Sequence, residues 1–342
     1  KFHVFPKLDF FFYYNDCLLI DNNNILINLM KLLSIVFSFR NEENNLADLV
    51  NRVSKAISNL NDWNYELIFV NDYSKDNSEK KLIELQKTHP IKIINMSRRF
   101  GTNHCVLAGF NNCSGDCIIY MDSDLQDPPE IIPKLIEKYE EGFEVVHTIR
   151  IKRLGESKIK LFMTSIAYKI INYFSSISLP INAGDFKLIS RVAMNNLLDQ
   201  KDYNPYIRGL SVWIGFKQGY VEYVREPRGA GKTKFPIFFS INPIEEFIRG
   251  ITSHSLVPLY IGMVLGLITT FFSIVLICYA FISKLKGIAV PGTTSIIITI
   301  SFFSGTILFT LGIIGIYIAR IYEQTRGRTK YIIKNIIDYK KK

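Results

Sequence analysis

Asp122 and Asp124, one residue apart in I-I-Y-M-D-S-D-L-Q-D-P-P (118–129), are residue types that hold a hard divalent cation through oxygen and leave room for phosphate oxygens beside it. The apolar residues Ile118, Ile119, Tyr120 and Met121 read as a short buried strand that delivers both carboxylates to its carboxyl end, with Gln126 as a third oxygen. In an open α/β sheet that edge is where ligands bind. A lone D-x-D is common and, as a solvated turn, does no chemistry. Its meaning rests on the elements that surround it.

From Leu32 the chain alternates apolar runs (32–37, 65–70, 91–95) with helical patterns (43–60, 78–88, 101–113). The strand ending at Asp122 is the fourth. Its helix follows Pro128 and Pro129, where a first-turn proline loses no hydrogen bond, and a further strand covers 144–149. This alternation predicts an α/β domain over 32–228, built on a mostly parallel, doubly wound sheet with its loops gathered at one edge. The loops after the first, second and fourth strands then become neighbours. Ser38, Phe39, Asn41, Glu42, Asp72, Ser74, Asp122 and Ser123 are the candidate nucleotide-binding residues among them. Taken singly, each loop has a plainer role, helix capping through Asn41 or Asp76. G-x-G-x-x-G is absent after the first strand, which argues against a nicotinamide enzyme.

The mean hydropathy of +0.14 points to a membrane part beside the globular one. Residues 256–282 and 293–319 carry no charge, and each exceeds the roughly 20 residues needed to cross a bilayer. Joined by 283–292, they read as a hairpin of two transmembrane helices, with Gly305, Gly312 and Gly315 permitting close helix approach and hence a homo-oligomer. The net charge of +10 gathers in part at 320–342, a basic cytoplasmic tail rather than a nucleic-acid-binding arm. That places the protein in the cytoplasmic membrane, multi-pass, with its globular domain in the cytoplasm. Residues 229–255 read as an amphipathic interfacial segment, and the helical pattern at 158–174 as a helix packed on the sheet. Residues 1–31 read as an extension outside the fold, without the features of a signal peptide. The five cysteines lack paired C-x-x-C spacing and read as reduced structural residues.

With its loops in hand, the chain resembles the family-two inverting glycosyltransferases of GT-A fold, and among them the polyprenyl-phosphate group that includes dolichol-phosphate mannose synthases and bactoprenol glucosyltransferases. The resemblance rests on S-F-R-N-E-E-N-N-L (38–46), V-N-D-Y-S-K-D (70–76), S-R-R-F-G (97–101) and S-G-D-C-I-I-Y-M-D-S-D-L-Q-D-P-P-E (114–130). G-E-S-K (155–158), A-G-D-F (183–186), I-R-G-L (207–210) and G-K-T-K-F-P (231–236) extend it. It implies that Asp122, Asp124 and Gln126 hold Mg²⁺ or Mn²⁺ on the diphosphate of a nucleotide sugar. It also implies that Glu42 and Asp72 contact the nucleoside, and that Asp185 lies at the acceptor side of the sugar. The family's usual D-D-G-S is Asn71-Asp72-Tyr73-Ser74 here, and its usual P-V-Y-N-E is Ser38-Phe39-Arg40-Asn41-Glu42. Both departures touch base and ribose recognition.

Asp124 and Asp185 are the candidate catalytic residues. A sugar-hydroxyl acceptor would require a general base, for which Asp185 is the candidate. A polyprenyl phosphate is already largely ionised and needs cations instead; Arg208, Arg228 and Lys234 are the candidates for that acceptor phosphate. A processive polysaccharide synthase would show Q-x-x-R-W, which is absent. A catalytically inactive nucleotide-sugar-binding scaffold has only Asn71 in its favour, and a transferase using another lipid or glycan acceptor is the remaining alternative.

Overall fold

The computed structural model describes residues 18–20, 26–28, 30–60, 62–153, 166, 169–175, 177–180, 182–200, 202–203, 205–226, 250–253, 255–286 and 292–339. Two short strands, β1 (Leu18–Ile20) and β2 (Leu26–Asn28), pair antiparallel with each other and with no strand of the main sheet among the described residues. The regular alternation begins at β3 (Lys31–Phe39). It continues through α1 (Leu46–Ile57), β4 (Trp63–Asn71), α2 (Ser78–Leu85), β5 (Ile91–Met96), α3 (Thr102–Asn111) and β6 (Cys117–Asp122) to α4 (Ile132–Glu140). The parallel ladder β5-β4-β3-β6 follows from these β-α units, so the expected α/β class holds.

The next strands depart from the simple alternation. β7 (Val145–Arg153) does not join β6; β8 (Ala183–Ser190) inserts between them, antiparallel to both, and β9 (Gln218–Arg225) closes the edge parallel to β7. Because β8 runs against β6, its first residues enter the sheet at the edge where β6 ends. The helices α5 (Arg191–Leu198) and α6 (Ile207–Trp213) separate β8 from β9.

Core residues cover both faces of the central strands, which is why β3 and β6 read as near-continuous apolar runs. On one side Leu49, Val50 and Val53 of α1 and Leu135 of α4 belong to the same core as Ile35, Phe37, Phe69 and Met121. Phe37 and Phe69 stack with ring centroids 4.6 Å apart. On the other side Val106 and Phe110 of α3 and Met194 and Leu197 of α5 join Val36, Ile68 and Tyr120. Each such fully buried side chain stabilises the fold by roughly 1.5–3 kcal/mol. The S-G-D segment ties strand beginnings together: Ser114 N donates to Glu66 Oε1, Gly115 N to Ser34 Oγ at 2.7 Å, and Leu32 N to Asp116 Oδ2 at 2.7 Å.

Two helices, α7 (Val257–Leu285) and α8 (Thr293–Thr325), are long and apolar enough to cross a membrane. They approach at Gly262, where a Cβ would lie 3.1 Å from Thr310 Cγ2. Gly305, Gly312 and Gly315, expected to permit close approach, have nothing among the described residues within 4 Å of an added Cβ. Both ends of the helix pair touch the globular domain. Ile251, just before α7, packs on Ile171, Leu179 and Tyr206; after the apolar span, Gln324 Oε1 accepts from Tyr203 N at 2.8 Å.

The segment read as a basic tail has a second role. Ile333–Ile337 forms β10, which pairs antiparallel with β5 and completes the sheet order β10-β5-β4-β3-β6-β8-β7-β9. Lysines beside short apolar residues mask a strand on hydropathy alone, and an exposed edge strand tolerates them. Removing residues 332–342 should leave β5 an open edge and lower the domain's stability by about 2 kcal/mol, a fall of several degrees in thermal midpoint. Differential scanning fluorimetry in detergent measures this; an unchanged midpoint would show that β10 adds nothing.

His147 lies buried in β7, its Nε2–H donating to Gln218 Oε1 at 2.5 Å while Nδ1 lacks a hydrogen-bond partner among the described residues. Burial, and then the charge of Lys187, pushes its pKa down to about 3. An unfolded histidine titrates near 6.5. Between those values the unfolded chain binds a proton that the native chain refuses, so this contribution is complete above about pH 6.5 and declines as pH falls. His147→Gln should therefore reduce the stability lost between pH 7.5 and pH 5 by about 2 kcal/mol relative to the parent protein. Chemical denaturation at the two pH values checks this, and equal losses in both proteins would refute it.

Candidate active site

β4, β3 and β6 are adjacent and parallel, so their carboxyl ends set three loops side by side. Each loop holds a non-glycine residue at positive φ: Asn41 at 55°, Tyr73 at 61° and Leu125 at 61°. Such conformations cost energy and persist where the surroundings enforce them, often at ligand-binding edges. The first two loops enforce one another. Asn41 N donates to Ser74 Oγ (3.0 Å), Lys75 N to Asn41 Oδ1 (2.8 Å), and Glu42 N to Ser78 Oγ (3.0 Å).

Several expected nucleotide residues thereby acquire structural partners. Asp72 accepts from the backbone amides of Phe100 (2.7 Å) and Gly101 (3.2 Å), anchoring the S-R-R-F-G loop at the start of α3. Glu42 is buried and accepts from Asn45 Nδ2 at 2.7 Å. Phe39 is buried edge-on against Phe69 and sends its side chain into the core. The departure Asn71 has a physical account: its amide donates to Asn95 Oδ1 (2.9 Å) while its oxygen accepts from Ser74 N (2.8 Å), a pair of roles an ionised aspartate cannot fill.

Asp122 ends β6 opposite Ser38 of β3. Tyr120 OH donates to Asp122 Oδ1 at 2.9 Å and lies 3.1 Å from Ser38 Oγ, which serves as its donor; Ser123 Oγ donates to Ser38 O at 3.0 Å. Asp124 Oδ1 accepts from Gln126 N at 3.2 Å. Burial, followed by the charges of Asp124, Asp185 and Asp127, pushes the Asp122 carboxyl up to about 7. Tyr120 reads as one more apolar strand residue in the sequence; only the fold turns its hydroxyl toward the carboxylate.

Asp185 reaches the same edge because β8 runs antiparallel to β6, with Lys187 opposite Tyr120. Arg208 of α6 grips Asp185 with both arms of its fork, Nε to Oδ1 at 3.2 Å and Nη2 to Oδ2 at 2.7 Å. Burial alone would raise the Asp185 pKa, but the Arg208 guanidinium holds it down at about 2. Lys187 is buried beside this pair, donating to Ser211 Oγ at 2.9 Å, and burial lowers its pKa to about 8. Gln126, expected on the metal, has its Oε1 accepting from Arg225 Nη2 at 2.7 Å. Asp127, Arg150, Tyr223 and Arg225 also meet at this edge; Asp127 sits within the quoted D-S-D-L-Q-D-P-P motif and Arg225 among the cations offered after the sheet, but no local pattern marks their meeting. Arg228, Lys234, G-E-S-K, G-K-T-K-F-P, and most of 158–174 and 229–255 lie outside the described residues.

The residues present fit a hard divalent cation. The proton-retaining tendency of Asp122 arises partly from neighbouring carboxylates, and a cation between Asp122 and Asp124 would relieve that repulsion. Among the described residues no group of three or more His, Cys, Asp or Glu is placed to hold a metal, so these two carboxylates would be part of a cation's shell and not the whole of it. Tyr120→Phe deletes only the hydroxyl that steadies Asp122 and should weaken Mn²⁺ binding about tenfold. The electron paramagnetic resonance signal of free Mn²⁺ reads this out, and unchanged affinity would remove Tyr120 from the site.

Residues 34–198 match the model of glycosyl transferase family 2. The chain is 35% identical over 308 residues to the bactoprenol glucosyl transferase of Shigella phage SfV, covering 90% of this chain and 99% of that one. It is 34% identical over 309 residues to the prophage bactoprenol glucosyl transferase homolog of Escherichia coli K12, covering 90% and 99%, respectively. An uncharacterized glycosyltransferase of Synechocystis is 37% identical over 306 residues, covering 89% and 95%. Carboxylates at the carboxyl edge of a mostly parallel sheet and these full-length likenesses agree, and the chain belongs to the family-2 glycosyltransferases, in the bactoprenol glucosyltransferase group.

Proposed function

We propose that the protein transfers one sugar from a nucleotide sugar, UDP-glucose-like or GDP-mannose-like, to a polyprenyl phosphate, inverting the anomeric carbon. The names of the relatives support a bactoprenol acceptor. The observation that carries the acceptor class is the ion pair between Asp185 and Arg208. A general base works best with a pKa near the operating pH, and a carboxylate held at about 2 is a poor proton acceptor. That suits an acceptor already ionised. A lipid phosphate attacks without first losing a proton to the enzyme; its oxygen forms the new bond to the anomeric carbon as the bond to the donor diphosphate breaks.

A bound Mg²⁺ or Mn²⁺ would neutralise the charge developing on the diphosphate leaving group. Asp122 and Asp124 hold that position, Tyr120 steadies Asp122, and the loops bearing Ser38, Asn41, Glu42, Asp72, Ser74 and Ser123 shape the nucleoside side. Arg208, with Arg228 and Lys234, is assigned to the acceptor phosphate, Arg208 sharing its fork between that phosphate and Asp185. The helices α7 and α8 support a membrane site of action, and the proximity of both their ends to the domain supports a hairpin. The basic residues after Ala319 favour the cytoplasmic face, where nucleotide sugars are available.

Membranes containing the protein, incubated with radiolabelled nucleotide sugars, undecaprenyl phosphate and Mg²⁺, should yield a labelled lipid with one donor. Asp124→Asn should lower its formation at least about a hundredfold while leaving membrane insertion intact. A chelator should abolish transfer, and Mg²⁺ or Mn²⁺ should restore it. Nucleotide binding without a lipid product from any donor would overturn the reading in favour of a scaffold.

A further inference from the structure

Asp127 lies three residues beyond Asp124, in the same loop, and is fully buried. A buried carboxylate is costly unless cations and donors surround it. Tyr223 OH donates to Asp127 Oδ1 in a short hydrogen bond; Arg150 Nη2 lies 3.5 Å and Arg225 Nε 3.6 Å from the same oxygen. Arg150 Nε in turn donates to Tyr223 OH at 2.8 Å. The guanidinium of Arg150 lies against Gly184, where an added Cβ would fall 2.5 Å from its Nη2 and force it to shift. Two strands therefore converge on one carboxylate, β7 through Arg150 and β9 through Tyr223 and Arg225, with Gly184 of β8 beside the Arg150 guanidinium.

The same strand end grips the residue before it. Arg225 Nη2 donates to Gln126 Oε1 at 2.7 Å, and Glu226 N donates to Gln126 O at 3.0 Å. The loop between Asp124 and Asp127 is thus held at two consecutive residues, immediately after Leu125 at its positive φ of 61°. A strained residue flanked by a metal-type carboxylate on one side and a buried ion cluster on the other relaxes if the cluster lets go. The charge of Asp127 is also felt at Asp122.

We propose that Asp127 is a positioning residue: it locks the Asp122–Asp127 loop onto β7 and β9 and so fixes Asp124 relative to Asp122. The inference rests on the proposed role of those two aspartates in holding a cation. An ordinary structural ion pair would affect only how stably the domain folds. A positioning carboxylate also sets how well the folded protein binds the cation, since outer partners of metal ligands typically govern affinity by 10- to 100-fold.

The test uses the full chain in detergent, with Asp127→Asn, Asp127→Glu and the milder Tyr223→Phe. The thermal midpoint, free Mn²⁺ by electron paramagnetic resonance, and amide exchange of residues 123–128 are measured for each. Asp127→Asn should weaken Mn²⁺ binding about tenfold in the folded protein and accelerate exchange in the loop. Tyr223→Phe should do both to a lesser degree at a nearly unchanged midpoint, and Asp127→Glu should recover part of the affinity. Where Asp127→Asn does not fold, Tyr223→Phe decides. Parental Mn²⁺ affinity and loop exchange in the folded variants, with only the midpoint lowered, would overturn the proposal. If the parent itself binds no Mn²⁺, its metal assignment fails and loop exchange alone decides: unaltered exchange in Tyr223→Phe overturns the inference. A parent that binds Mn²⁺ and forms no lipid product fails the transfer reading and leaves the Asp127 comparison intact.

Discussion

Mutual repulsion among carboxylates is the constraint around which this domain is arranged. Asp122, Asp124, Asp127 and Asp185 are near enough at one sheet edge that burial and the other three charges together raise the pKa of Asp122 to about 7. Such a cluster survives folding only with compensation, and its kind differs among Asp185, Asp127 and Asp122. Asp185 has the fork of Arg208, Asp127 has two guanidiniums and a tyrosine hydroxyl, and Asp122 has the hydroxyl of Tyr120. Asp122 keeps the repulsion of Asp124 beside it, and an added cation between these two would relieve it. Charge compensation separates the four residues into different roles more sharply than their sequence spacing does.

The topology serves that division. A purely parallel continuation would have carried the strand after β6 away in the same direction, with its first residues at the far edge. Inserting β8 antiparallel reverses this, so A-G-D-F enters where M-D-S-D leaves and the two carboxylate segments meet. β7 and β9 then bring Arg150, Tyr223 and Arg225 to the same edge. At the opposite border β10 pairs with β5, so the chain returns to the sheet after α8. Ile251 before α7, and Gln324 and Lys330 beyond the apolar part of α8, all contact the domain, which binds the sheet to the helix pair through both of its ends.

Polar loops that look alike in sequence divide their labour in the fold. Asn41, Asp72 and Ser74 spend hydrogen-bonding capacity on holding neighbouring loops together. Asn71 fits this scheme, donating to one asparagine side chain and accepting from a backbone amide, which gives the departure from D-D-G-S a structural purpose. A loop network of this kind presets the shape of a binding edge before any ligand arrives, which lowers the entropic cost of organising it.

The sequence alone determined the β-α alternation, the adjacency of three polar loops, the placing of Asp122 and Asp124 at a strand's end, and two apolar spans. These are legible because they depend on local periodicity: apolar runs of strand length, helical spacing, proline at a first turn and long uncharged stretches. Tertiary structure alone decided what each polar residue faces. The pairing of Asp185 with Arg208, the capture of Gln126 by Arg225, the hydroxyl of Tyr120 on Asp122 and the cluster around Asp127 join residues up to 99 positions apart. β10 pairs across a still longer separation, its alternation too short and too basic to signal a strand. Periodicity reports which face of an element is buried; strand order and direction decide which charges meet there, and no local pattern encodes them.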